Sequence, residues 1–114
     1  MQIECTRFRV KKGKSHKVNE WMKMLNDRMP EVLLTLQDEK MYVETIFRET
    51  VNGVEYIYWY SIQGESGIEV EDSNHDIDKK HMEYWDECID ETYQPVDLKP
   101  EVVMIPEKIQ KVME

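Results

Sequence analysis

Apolar positions along this chain change their period several times, and each change marks an element. Over residues 2–10, Ile3 and Cys5 fall on one face of an extended segment and Phe8 and Val10 on the other. That pattern predicts a strand that is bulged or covered on both sides. Lys12-Gly13-Lys14 makes a turn, with Ser15 as the N-cap of a helix. Val18, Trp21, Met22, Leu25 and Met29 then recur at intervals of three and four, the stripe of an amphipathic helix. Pro30 cannot continue that helix but suits the first turn of another, so residues 31–36 read as a short second helical piece.

The strongest local signal is a hairpin over residues 41–49 and 54–62. Asn52-Gly53 supplies the two positive φ angles of a type I′ turn, with Val51 opposite Val54. In that register Val43, Thr45, Phe47, Tyr56, Tyr58, Tyr60 and Ile62 share one face. Tyr42, Glu44, Ile46, Arg48, Ile57, Trp59 and Ser61 share the other. A polar loop with Gly64 and Gly67 leads to a third helix, about residues 73–91. Its stripe is Ile77, His81, Tyr84 and Cys88, with Trp85 and Ile89 at the edge. Pro95 and Pro100 mark a connection, residues 101–105 a last strand, and Pro106 its end; bracketing prolines suit an edge strand. Ile109, Val112 and Met113 lie in a short amphipathic tail.

The order is β-α-β-β-α-β, the split βαβ arrangement of ferredoxin-like folds. The expectation is one α+β domain over residues 1–114, with both helices on one face of a four-stranded antiparallel sheet. Yet both faces of the hairpin carry large side chains, and Tyr56-Ile57-Tyr58-Trp59-Tyr60 hardly alternates. A sheet with one wet face alternates apolar and polar residues. Several rings left in water would make an apolar patch of several hundred Å². A homodimer joined through the sheet faces, a dimeric α+β barrel, removes that conflict.

Charge excludes some partners. There are 24 acidic residues against 15 basic, a formal net charge of −9. The one basic cluster, Lys11, Lys12, Lys14 and Lys17, flanks a turn, so sequence-independent nucleic-acid binding is not expected. No apolar run approaches the roughly 20 residues needed to cross a bilayer. The first ten residues lack the apolar stretch of a signal peptide. Cys5 and Cys88 have no motif spacing and read as reduced, buried thiols, so a cytoplasmic location is expected.

The segments Ile3-Glu4-Cys5, Asn52-Gly53 and Val102-Val103-Met104-Ile105-Pro106 resemble, in this order, a family of small uncharacterised bacterial proteins. That family is placed in the dimeric α+β barrel superfamily. The resemblance spans nearly the whole chain and implies fold and dimerisation, without a function. A weaker resemblance, carried by Trp85, Pro95-Val96, Leu98 and residues 102–106, is to the L-rhamnose mutarotases of that superfamily. Their catalytic histidine near the first strand has no counterpart here, so no mutarotase residue roles are carried over.

Within this frame His81 is the foremost candidate for chemistry. It stands in the middle of the third helix's apolar stripe, where a buried imidazole needs partners such as Glu44, Arg48, Ser61 or a tyrosine hydroxyl. It reads either as a general base in a pocket between helices and sheet or as a hydrogen-bonded core histidine. Glu44, flanked by Tyr42 and Ile46, is either a desolvated acid–base group or an edge-strand charge paired with Arg48. Trp59 and Trp85 are expected as pocket walls, with Ser61 and Arg48 as further ligand contacts. The ligand would be a small organic molecule. The protein is then a binding protein, a cofactor-independent enzyme of the sugar-mutarotase or monooxygenase kind, or a non-catalytic interaction module.

No cofactor is implied, and no metal. Asp72, Asn74, Asp76, Asp78 and Glu83 match the ligand positions of a calcium loop, but its required glycine is Ile77, a residue of the helical stripe. An acidic N-terminal turn instead complements the helix dipole. His75 and His81 are about 120° apart around a helix and do not converge on a metal. Cys88 is a small hydrophobe unless it touches His81.

Overall fold

Asn52 and Gly53 hold φ angles of 51° and 79°, so both central residues of the turn are left-handed and the strands leave it with matching twist. Val51 pairs with Val54. The computed structural model describes residues 1–68 and 73–113. Along the chain these form β1 (Gln2–Arg9), α1 (Ser15–Asp27), α2 (Met29–Asp38), β2 (Met41–Val51), β3 (Val54–Gln63), α3 (Asp76–Cys88), β4 (Val96–Asp97) and α4 (Glu107–Val112). The sheet has the order β2-β3-β1-β4 with every pair antiparallel, the ferredoxin-like α+β arrangement.

The register puts Thr6, Phe8, Glu44, Ile46, Arg48, Ile57, Trp59 and Ser61 on the side facing the helices. Cys5, Arg7, Val43, Thr45, Phe47, Tyr56, Tyr58 and Tyr60 take the opposite, open side. β1 has no bulge: its pairing with β3 is unbroken, and successive residues alternate between the helix-facing and the open side. The irregularity falls in β2 instead, between Met41 and Val43, so Tyr42 sits in a bulge.

The core lies between α1, α3 and the sheet. Val10, Val18, Trp21, Ile57, Cys88 and Ile89 form it, and Trp21 is fully buried. Truncating a buried ring of this size costs about 3–5 kcal/mol. Helical φ/ψ fails at Arg28 (φ −108°, ψ 29°), and Pro30 occupies the first turn of α2. Arg28 pairs with Glu31 and reaches Asp76 at 3.4 Å, which ties the start of α2 to the start of α3. Ser15 is the first residue of α1 rather than its cap, and its hydroxyl donates to Glu55 at 2.7 Å.

At the far end of α3, Asp90 accepts from Nε and Nη2 of Arg9 at 3.0 and 2.8 Å. Its other oxygen accepts from the backbone N–H and hydroxyl of Thr92 at 2.9 and 2.6 Å. The Thr92 bonds first, and Arg9 after them, pull the Asp90 carboxyl down to about 2.

The last strand departs from the sequence expectation. β4 is Val96–Asp97, paired with Arg7 and Thr6, and the Leu98 N–H donates to the Cys5 carbonyl at 2.8 Å. This segment reaches the β1 edge first, and Pro100 has no N–H with which to extend the ladder. Residues 101–105 carry no strand assignment, and Val102 and Met104 are 72% and 84% exposed.

Candidate ligand-binding and acid–base site

Three cross-strand rows explain where the core stops and a cavity begins. The rows are Phe8–Ile57–Arg48, Thr6–Trp59–Ile46 and Glu4–Ser61–Glu44. The first seals the core beside Val10; the last puts two carboxylates and a hydroxyl on the same helix-facing surface. Helices cannot close over such a row without burying polar groups unpaired. A cavity of about 810 Å³ remains between this end of the sheet and the three helices, a size suited to a small organic molecule.

Asp78, His81 and Trp85 recur at three and four residues along α3 and line the opposite wall. Trp21 donates its indole N–H to Nδ1 of His81 at 3.0 Å. An indole nitrogen is only a donor, so Nδ1 must be an acceptor, and the hydrogen of the neutral ring resides on Nε2. The His81 ring lies 5.3 Å from Trp59 and 6.3 Å from Trp85, and the two tryptophans meet edge to face at 5.5 Å.

Burial pushes the Glu44 carboxyl up, the neighbouring charge of Asp78 adds to the rise, and a hydrogen bond with Trp59 opposes it. Asp78 is only 6% exposed, and its Oδ2 has no hydrogen-bond partner among the described residues. Arg48 is committed elsewhere. Its Nε and Nη2 hold Glu55 at 2.8 and 2.5 Å, and Nη1 donates to Asn19 at 2.7 Å.

His81, Glu44, Trp59, Trp85, Ser61 and Arg48 all line this one cavity. Arg48 pairs with Glu55 rather than Glu44, and His81 accepts a hydrogen bond from Trp21, a partner the sequence did not suggest. Sequence reasoning gave Asp78 only a helix-dipole or calcium role, although its position three residues before His81 on the same stripe was a usable signal. Trp21 appeared only as core, since its bond to His81 depends on how two helices pack.

Of the calcium pattern, Asp72 lies outside the described residues, while Asp76, Asp78 and Glu83 stand on continuous helix. Among the described residues no group of three or more His, Cys, Asp or Glu is arranged to hold a metal. Cys5 and Cys88 are both free thiols; Cys88 is fully buried and Cys5 only partly. Burial, with the charge of Glu87, pushes the Cys88 thiol up, which makes it a poor nucleophile. Among the described residues no helix is long and apolar enough to cross a membrane.

Residues 1–111 match a family described as "Family of unknown function (DUF6176)". No curated protein matches the chain. Among solved structures, an L-rhamnose mutarotase from Formosa agariphila aligns with 94% of this chain and 100% of its own, at a TM-score of 0.52 and 19% identity. At that identity the likeness concerns the fold.

Proposed function

The chain belongs to this family of unknown function, and from the site's geometry we propose that it binds a small organic molecule in the cavity and exchanges protons with it. Glu44 and His81 are the exchanging pair; Trp59 and Trp85 are the walls, Ser61 is a further contact, and Arg48 lines the cavity with its guanidinium held by Glu55 and Asn19. The observation that carries this reading is the polar row Glu4–Ser61–Glu44 facing Asp78 and His81 across a cavity whose walls also carry Trp59, Trp85, Ile46 and Met82. Structural networks bury polar groups in order to satisfy them; here a buried carboxylate oxygen, Asp78 Oδ2, is left without a partner among the described residues.

The groups suit proton transfer between two oxygens. A carboxyl displaced upward keeps its proton more readily than an ordinary one and can accept and return it, while an imidazole with its hydrogen on Nε2 donates to an oxygen opposite. Opening and closing a cyclic hemiacetal is one such reaction. A base takes the anomeric hydroxyl proton, an acid protonates the ring oxygen, and the C–O bond between them breaks and re-forms on either face. The mutarotase likeness favours this second, enzymatic reading by analogy of fold.

The open sheet face supports a homodimer. Phe47 is 55% exposed and Val43 36% beside the row of tyrosines, and a second copy supplies the cover that the fold lacks.

NMR exchange spectroscopy with a panel of aldoses tests the site. Anomer exchange above the buffer rate, lost in His81→Gln and Glu44→Gln, is expected from the enzymatic reading. Aldoses that bind without faster exchange restrict the protein to binding. Neither binding nor exchange by any of these probes, with Trp59 fluorescence unmoved, defeats the proposal for this ligand class.

A further inference from the structure

The charges around the cavity narrow its ligand, provided that the cavity is a ligand site as proposed above. Glu4, Glu39, Glu44 and Asp78 line it, and Arg48 is the one lysine or arginine among the described lining residues. The Arg48 guanidinium is already engaged by Glu55 and Asn19. Asp78, buried and with Oδ2 unpartnered, lines the cavity near enough to Glu44 for its charge to bear on that carboxyl. Two acids brought together away from water repel one another unless a proton or a cation lies between them. A neutral hydroxyl would give Asp78 a hydrogen bond but leave that repulsion standing. A cationic nitrogen supplies both hydrogen bonds and countercharge, and the rings of Trp59 and Trp85 line the same cavity.

We propose that the ligand is a small organic cation, an ammonium-bearing compound whose N–H groups are taken by Asp78 and Glu44 beside the rings of Trp59 and Trp85. The body of the ligand then lies along Trp59 and Ile46, with Ser61 in reach of any hydroxyl it carries.

Matched probes isolate the charge: glucosamine against glucose, and cyclohexylamine against cyclohexanol, titrated into the full chain at pH 7 and physiological salt. Tryptophan fluorescence and melting temperature are the readouts. At least one amine is expected to bind roughly tenfold or more tightly than its neutral counterpart. Asp78→Asn should remove that preference while the circular dichroism spectrum stays native, and Glu44→Gln should reduce it. Because Asp78 Oδ2 has no partner among the described residues and the amide keeps the side chain's shape, the variant is expected to fold. Should the Asn variant nevertheless misfold, Glu44→Gln decides alone.

Equal or tighter binding of the neutral probes would overturn the cation assignment and leave the ligand site standing. An amine preference that survives both substitutions reflects attraction to the acidic surface and also overturns it. If no probe of either kind perturbs the tryptophans, this inference and the ligand-site reading both fall for these chemistries.

Discussion

Trp21 donates its indole N–H to Nδ1 of His81 at 3.0 Å, and the donor is fully buried while the acceptor lines the cavity. The bond joins α1 to α3 and fixes which imidazole nitrogen carries the hydrogen. Trp21→Phe keeps a ring in the core but removes the donor. A lost hydrogen bond of about 1 kcal/mol, with the residual cavity, predicts destabilisation of roughly 1–3 kcal/mol in urea unfolding. Imidazole nitrogen shifts should show Nδ1 sharing the hydrogen with Nε2. A ring still held as the Nε2 tautomer would mean that another group orients it.

Glu44 makes stability depend on pH in a defined direction. Burial raises its carboxyl in the folded protein, with Asp78 adding and Trp59 opposing; Glu4, His81 and Arg48 share the same cavity wall. The folded state then holds a proton that the unfolded chain has already released. Stability contributed by that proton is present below the ordinary carboxylate range and is lost as pH rises through the folded value. Glu44→Gln removes the titration. Its urea midpoint should exceed that of the parent at pH 7–8, with the gap closing toward pH 4. Parallel profiles across that range would show that Glu44 is not desolvated.

Asp90 has the opposite sign. Its carboxyl is held down at about 2 by Thr92 and Arg9, so the stability it contributes is present above its unfolded value and is lost as pH falls through about 2. Asp90→Asn weakens the link from the end of α3 to β1, lowering the melting temperature at pH 7. Below about pH 2 variant and parent should converge. A difference that persists unchanged there would point to the backbone turn at Thr92 instead of the charge.

These sites also show how far the sequence could be read. Asn52-Gly53 determines the hairpin register, and alternation then places Glu44, Trp59 and Ser61 on one face without reference to any other element. The 3.6-residue period of α3 likewise turns His81 and Trp85 toward that face. What it could not settle were choices made between elements. Residues 101–105 have the apolar run of a strand, but Val96 and Asp97 reach the β1 edge first. Arg48 lies two same-face positions from Glu44 on its own strand yet meets Glu55 on β3, and Trp21 meets His81 through helix packing. Asp78 looked like a dipole-complementing acid, and only its place three residues before His81 hinted that it lines the cavity.

The open face gives the last prediction. Phe47 projects from the edge strand β2 with 55% exposure, next to Tyr58 across the β2–β3 ladder. Val102 and Met104 extend a further exposed apolar segment beyond β4. If two copies meet through this face, each Phe47 ring leaves water, contributing about 1.5 kcal/mol per copy at the usual area coefficient. Phe47→Asp removes that contribution twice and introduces two charges, so the dimer should weaken by roughly 100-fold or more. Leu34→Asp is the control, since Leu34 on α2 is equally exposed, at 54%, but lies on the helical side. Light scattering after size exclusion at micromolar concentration should give a dimer mass for the parent and the Leu34 variant, and a monomer mass for the Phe47 variant. A monomeric parent would mean that the tyrosine-rich face stays in water. Loss of the dimer in the Leu34 variant alone would move the interface to the helices.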